Sequence, residues 1–277
     1  MRRMIDFECA GCRLAATLDD ASGTTGLLWV SGGNEIRCGA YGGQAALAAQ
    51  FAARGYPVFR YDRRGIGDSE GINGGFENSA EDIAAAVGAF RANAPQITRL
   101  VAFGNCDAAS ALALFHPNLP IDALILANPW VIEGPEGGDG PTQPSSAAVR
   151  SRYWARIKNP RSIVDLFSGK IDLRKLAGGL IRAARKDTPS GLSARLAAAL
   201  AATKVPVRIL LARRDTTALA FAGVWHDTSF GSVRNKANVG LEQVDSASHS
   251  FADAASQAWL VEQIAGQLSE GSPPSVR

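Results

Sequence analysis

The chain has 277 residues, 46% of them hydrophobic and 20% charged, with a formal net charge of +3. That length suits one α/β domain with an insertion, or two small domains, and the composition excludes wholesale disorder. So small a net charge gives no argument for nucleic acid or an anionic membrane as partner, and no apolar run is long enough to span a bilayer.

The first residues, Met1 to Glu8, include two arginines but no apolar stretch, so no secretory signal is expected. Four cysteines are present, Cys9, Cys12, Cys38 and Cys106. Cys9-Ala10-Gly11-Cys12 is a C-x-x-C, but no second pair or histidine follows at metal-ligand spacing. It lies between two short apolar runs, where Ala10-Gly11 reads as a hairpin turn, and a structural role outweighs a metal or redox one. No metal and no cofactor are expected, and a reduced, cytoplasmic compartment fits best.

Paired antiparallel strands are expected over 5–9 and 13–18. Residues 26–30 form a continuous apolar run, as a strand buried on both faces requires, and end in Ser31-Gly32-Gly33-Asn34. A helix over 43–54 follows, stopped by Gly55-Tyr56-Pro57. The next strand, 58–61, leads into the turn-rich Asp62-Arg63-Arg64-Gly65-Ile66-Gly67-Asp68-Ser69. Ser79-Ala80-Glu81-Asp82 resembles a capping box, with Ile83, Val87 and Phe90 on one helical face behind it. A strand over 99–103 precedes Gly104-Asn105-Cys106-Asp107-Ala108 and a helix reaching Phe115. Residues 123–127 form another buried strand, ending at Asn128-Pro129-Trp130.

There the alternation stops. Residues 133–144 are rich in Gly and Pro and read as a loop; 147–202 carry helical stretches and no convincing strand. The beat resumes with a strand over 207–212, ending in Arg213-Arg214-Asp215, and a helix to Trp225. A last strand, 240–244, is followed by Asp245 to His249 and a helix over 251–268. Alternating strands and helices imply a mostly parallel sheet flanked by helices. Right-handed crossovers place the strands' C-terminal ends on one edge, where ligands bind. The expected division is a core of 1–130 with 203–268, a helical cap of 131–202 inserted after the sixth strand, and a disordered tail of 269–277.

Gly104-Asn105-Cys106-Asp107-Ala108 has the shape of a nucleophile elbow, in which a strand turns sharply into a helix. Taken alone it fits a small buried thiol equally well. The strand ends decide: Cys106 follows one strand, Asp215 a later one and His249 the last, in the order nucleophile, acid, histidine. A thiolate is stabilised by a helix N-terminus and a neighbouring imidazolium, and Asp215 would fix the imidazole's tautomer. Among the three histidines, His116 reads as a surface or capping residue and His226 as a helix end. Asp245 and Asp227 are rivals to Asp215, which directly ends an apolar strand. An oxyanion hole needs backbone N–H groups aimed at the developing charge. Asp107 supplies one, and Gly33 or Asn34 the other. The loop from Asp62 to Ser69 lacks a phosphate-binding spacing and reads as a structural support of the site edge. Arg37 is a candidate contact for an anionic substrate group, competing with a plain solvated role.

These residues together resemble the α/β-hydrolase superfamily. Asp62-x-Arg64-Gly65-x-Gly67-x-Ser69, the elbow, Asp215 and His249 stand where that superfamily has them. More narrowly, Gly32-Gly33 with Arg37-x-Gly39, Gly104-x-Cys106-Asp107 and Arg152-Tyr153-Trp154-Ala155-Arg156 resemble hydrolase 1 of exosortase A systems. Members of that subfamily accompany exopolysaccharide and protein-sorting gene clusters in Gram-negative bacteria. Ala108 in place of the elbow glycine and serine at position 31 depart from the pattern. The resemblance implies an α/β-hydrolase fold and an ester or thioester hydrolase acting through an acyl-cysteine on a small acyl substrate. The alternatives are acyl transfer to an amine, alcohol or thiol, as in bile-acid-CoA acyltransferase-like enzymes, and a non-catalytic ligand binder on the same fold. Dienelactone hydrolases also carry an elbow cysteine but usually lack a large helical cap.

Overall fold

The computed structural model describes residues 1–132 and 191–270. The hairpin opens the chain: β1 (Arg2–Cys9) pairs antiparallel with β2 (Cys12–Asp19), with Cys9 opposite Cys12. Ala10 and Gly11 take φ of 51° and 77°, the pair of positive angles that a two-residue hairpin turn needs. All four cysteines are free. Cys9 is buried, and that burial, with Asp82 beside it, pushes its thiol up to about 11.

The remaining strands are β3 (Thr25–Val30), β4 (Val58–Tyr61), β5 (Arg99–Asn105), β6 (Ala123–Ala127), β7 (Val207–Ala212) and β8 (Val239–Val244). The eight strands form one sheet in the order β1-β2-β4-β3-β5-β6-β7-β8. It is parallel from β4 to β8, and β2 joins β4 antiparallel. The helices among the described residues are α1 (Gly43–Ala53), α2 (Ala80–Asn93), α3 (Asp107–Phe115), α4 (Gly191–Ala202), α5 (Thr216–Trp225), the short α6 (Gly231–Arg234) and α7 (Ala254–Ser269).

Strand alternation sorts the core into two layers. Leu27, Trp29, Val101 and Phe103 point to one face, where Leu47 and Phe51 of α1 and Leu260 and Ile264 of α7 cover them. Leu28, Val30, Leu100 and Ala102 point to the other, under Phe90 of α2, Leu112 of α3, Leu196 of α4 and Phe221 of α5. Central strands buried on both faces explain why β3 and β6 read as unbroken apolar runs.

Some expectations change. Ser79 does not cap α2: it has φ −90° and ψ 6°, and its hydroxyl donates to the Phe76 carbonyl at 2.6 Å. The competing turn ahead of the helix takes the hydroxyl that the capping box needs. The expected cap, 131–202, lies outside the described residues from 133 to 190, as do Arg152 to Arg156 and the tail from 271. At its far end, α4 buries Leu192, Leu196 and Leu200 in the same layer as α3.

The strand-to-helix step after β5 is the tightest joint near the sheet edge. A Cβ placed on Gly104 would stand 2.7 Å from the carbonyl carbon and 2.8 Å from the carbonyl oxygen of Ala108. Gly104→Ala therefore forces backbone to shift. We expect it to lower stability by about 1–3 kcal/mol, the range for overpacking a tight site, read as a lower denaturant midpoint with unchanged slope. An unaltered midpoint would show that β5 and α3 can separate freely.

Candidate active site

The C-terminal ends of the parallel strands present Ser31 to Asn34, Asp62, Cys106, Asn128, Asp215 and the loop from Asp245 to His249 along one edge. Cys106 caps α3 with φ 63° and ψ −126°. A non-glycine residue held there stores on the order of 1–3 kcal/mol of strain, which surrounding contacts must offset. Its backbone is fastened on both sides. The Cys106 N–H donates to the Ala127 carbonyl at 2.9 Å, and its carbonyl accepts the Trp130 N–H at 3.2 Å. Ser110 of α3 then donates to the Trp130 carbonyl at 2.6 Å.

Asp215 and His249 meet directly, on the same strand edge as the Cys106 elbow. Asp215 caps α5, accepting Thr217 N–H and Ala218 N–H through Oδ2, each at 3.0 Å. The same oxygen meets His249 Nδ1 at 3.1 Å. Burial pushes the Asp215 carboxyl up, but the His249 contact and the helix N–H groups outweigh it, and the pKa lies below the ordinary value. His249 is driven the other way. Hydrogen bonds to Asp215 and then to the Cys106 thiol push its imidazolium up to about 10, against desolvation.

The rivals are placed elsewhere. Asp245 pairs with Arg213 and Arg214 at 3.4 and 3.0 Å on an exposed corner. His116 is buried at the end of α3, with Nδ1 against the Leu112 and Ala113 carbonyls and Nε2 2.8 Å from Thr203 Oγ1. Its buried setting pushes its pKa down. His226 is exposed after α5, and Asp227 offers its backbone carbonyl to Arg234.

Arg37 is neither solvated nor free to meet a substrate anion. Its side chain is 11% exposed, with Nη1 on Asp62, Nη2 on Asp68 at 2.8 Å and Nε on Thr17 at 3.2 Å. Asp62 is fully buried and also accepts the N–H groups of Arg37 and Asp68 at 2.6 and 3.0 Å. Ser69 closes the turn onto the Asp62 carbonyl at 2.7 Å. The loop's polar groups face one another, as a structural support of the site edge requires.

The expected oxyanion donors divide. The Asp107 N–H opens α3, and among the described residues neither it nor the Asn34 N–H has a partner. The Gly33 N–H is occupied: it donates to Asp107 Oδ1 at 2.6 Å. Gly32 lets this loop touch the elbow, since a Cβ there would stand 2.5 Å from the Asn105 carbonyl oxygen and 2.7 Å from Asp107 Oδ1.

Sequence reasoning missed the amides that hold the histidine loop. Asn128, fully buried at φ 41°, donates to the His249 carbonyl at 3.0 Å and to Asn105 Oδ1 at 3.2 Å. Its own Oδ1 accepts the Ala212 N–H at 2.9 Å. Asn105 donates to the same His249 carbonyl at 3.2 Å. Two asparagines at adjacent strand ends thus tie β5, β6 and β7 to His249. The one signal in the sequence is an asparagine directly after an apolar strand, a residue type that tolerates positive φ.

Residues 27–219 match the model of the family Hydrolase_4, described as serine aminopeptidase, S33. Solved structures align over nearly the whole chain. An esterase from Pyrococcus furiosus is 14% identical with a TM-score of 0.65, over 98% of this chain and 91% of that one. The esterase RhEst1 from Rhodococcus sp. is 17% identical with a TM-score of 0.59, over 96% of this chain and 98% of that one. The thioesterase domain from the curacin biosynthetic pathway is 14% identical with a TM-score of 0.57, over 96% of this chain and 99% of that one. Likeness at these identities establishes the α/β-hydrolase fold. No curated protein sequence matches the chain. Among the described residues no helix is long and apolar enough to cross a membrane, and no group of three or more His, Cys, Asp or Glu is arranged to hold a metal ion.

The His249 shift has a testable sign. A pKa raised from 6.5 to about 10 contributes stability that is fully present below about 6.5 and is lost as pH rises through about 10. Imidazole 15N spectra should show His249 still protonated at pH 8. Asp215→Asn should lower its pKa more than Cys106→Ala does, because the Asp215 hydrogen bond is the larger cause. Titration near 6.5 in the unmodified protein would mean that the Asp215 contact does not form in solution.

Proposed function

The chain belongs to the Hydrolase_4 family of α/β-hydrolases, described as serine aminopeptidase, S33, and within it we propose a cysteine-nucleophile hydrolase of carboxylic esters or thioesters. The observation that carries this reading is the Asp215–His249 contact on the same strand edge as the strained Cys106 elbow, with Cys106 among the groups that raise the His249 pKa. The family description names a serine enzyme, whereas this elbow carries a thiol.

In the proposed reaction, Asp215 holds His249 through Nδ1, leaving Nε2 for the sulfur. The imidazolium and the α3 N-terminus favour the Cys106 thiolate. The thiolate attacks the acyl carbonyl, and the Asp107 N–H with an N–H from Gly33 or Asn34 stabilises the oxyanion. His249 protonates the leaving alcohol or thiol, giving an acyl-cysteine. Water, deprotonated by His249, then attacks this thioester, releasing the carboxylic acid and restoring the thiolate. A soft sulfur nucleophile makes thioesters the better match, since thiolate attack on a thioester exchanges groups of similar leaving ability. Esterases and a thioesterase domain among the structural neighbours are in keeping with this substrate class. The narrower kinship with exosortase-associated hydrolases, a cap over 131–202 and a cytoplasmic setting belong to the same proposal.

Mass spectrometry after brief exposure to a panel of acyl thioesters and esters should show an acyl group on the peptide containing Cys106. Cys106→Ala should lose at least about a thousandfold in kcat/KM, in line with removal of an activated nucleophile. Full activity in Cys106→Ala, or an acyl group located elsewhere, defeats the mechanism. A product carrying the acyl group on an added amine, in place of free acid, would move the reaction to acyl transfer.

A further inference from the structure

One of the expected oxyanion donors already holds an anion of the protein's own. The Gly33 N–H donates to Asp107 Oδ1 at 2.6 Å, next to the elbow thiol. The other carboxylate oxygen, Oδ2, stands 3.8 Å from Arg63 Nη2, which also donates to the Gly33 carbonyl. Arg63 is 5% exposed, and its Nη1 is buried with no hydrogen-bond partner. A buried guanidinium nitrogen without an acceptor is costly, and a carboxylate oxygen is already within reach of a small side-chain rotation.

A plain clasp between the loop and the elbow would need no such arrangement. The loop is held independently: Glu35 N–H donates to the Gly32 carbonyl at 3.0 Å, Ser31 to Gln44 at 2.9 Å, and Asn73 to Asn34 at 2.9 Å. Removing the Asp107 contact leaves those in place. What Asp107 adds is a negative charge on the N–H of Gly33, in the loop that touches the elbow.

We propose that the Asp107 carboxylate is a resident occupant of the oxyanion site, which the substrate carbonyl displaces toward Arg63. Asp107 and Arg63 thereby select acyl groups that are uncharged near the scissile bond. The proposal rests on Cys106 as the nucleophile and adds that the resting site is closed by its own side chain. An acyl group with a carboxylate or phosphate close to the carbonyl meets the displaced charge and is rejected. A neutral acyl group pays only for moving Asp107 onto Arg63.

The test uses an uncharged acyl aldehyde and a pair of alkylating agents. The Cys106 thiol adds across the aldehyde C=O, forming an S–C bond while its proton passes to the oxygen, which then sits in the oxyanion site. Asp107→Ala keeps the backbone N–H of residue 107 and removes the occupant. It should bind the aldehyde about tenfold more tightly, the scale of one charge-assisted hydrogen bond, and raise kcat/KM for neutral thioesters by a similar factor. Arg63→Gln should lower that kcat/KM in the unmodified chain but not in the Asp107→Ala background. The ratio of iodoacetate to iodoacetamide rates at Cys106 should rise several-fold in Asp107→Ala, a readout that needs no turnover. Should the alanine variant fail to fold, Asp107→Asn, which keeps an acceptor for the Gly33 N–H but removes the charge, should still raise the iodoacetate-to-iodoacetamide ratio, with a smaller gain in aldehyde affinity. Aldehyde affinity equal to or below that of the unmodified protein, in a folded variant, overturns the proposal. If Cys106 drives turnover and the Asp107 variants change nothing, only this inference falls; if Cys106 is not acylated, the mechanism itself falls, whatever the alkylation ratio shows.

Discussion

The close approach of β5 to α3 governs the site edge. Gly104 lies against the Ala108 backbone with no room for a side chain, and Gly32 lies against the Asn105 carbonyl in the same way. With strand and helix this close, the residue between them cannot keep ordinary backbone angles. Cys106 takes φ 63° and ψ −126°. Strain of this kind persists only where neighbours over-determine it. Here Ala127 and Trp130 hold the Cys106 peptide groups, and Ser110 holds Trp130 in turn. The β6 end therefore belongs to the elbow as much as β5 does.

A second constraint follows from the sheet. Parallel strands bring distant residues to one edge but leave the loops between them to be fixed by polar contacts. Two buried networks do this. Asn105 and Asn128 converge on the His249 carbonyl, so the histidine's place is set from its backbone as well as from Asp215. Across the His249 loop, Ser246 before it and Ser256 after it both reach Asp253, which caps α7. On the other side, Asp62 gathers Arg37 and Asp68, and the buried Arg60 joins the Arg37 carbonyl to Asp19 at the end of β2. Each network is worth most when every member is satisfied, because an orphaned buried charge costs more than the pair gains.

The sequence made the first constraint readable and hid the second. Apolar runs and their alternation reveal where a strand is and where it ends, so β3 to β7 and the order Cys106, Asp215, His249 follow from pattern alone. Small residues at 32, 104 and 108 mark close approach. Side-chain direction in a turn has no such period. Arg37 looked solvated because nothing in its neighbours shows that Asp62 and Asp68 fold back onto it. Ser79 looked like a cap because the motif is local, whereas the winning contact, to Phe76, depends on the preceding turn. Asn105 and Asn128 leave little more than an asparagine at a strand end for the same reason: each is an ordinary residue until the sheet sets β5 beside β6.

The polar contacts also bear on why a thiol at this elbow changes more than the nucleophile's name. A serine hydroxyl stays protonated until the base takes its proton during attack. A thiol beside an imidazolium whose pKa is about 10 faces a partner that holds its proton through the physiological range. In the proposed mechanism the electrostatic demand therefore falls on the acyl oxygen. That shifts the weight of catalysis to the amides of Asp107, Gly33 and Asn34. It also makes a carboxylate seated on the Gly33 N–H more consequential than it would be beside a neutral hydroxyl, because the same donor would have to serve both charges. In the proposed mechanism the geometry around Gly33, with Asp107 on its N–H and Arg63 on its carbonyl, is where substrate binding and the resting structure would compete for one hydrogen bond.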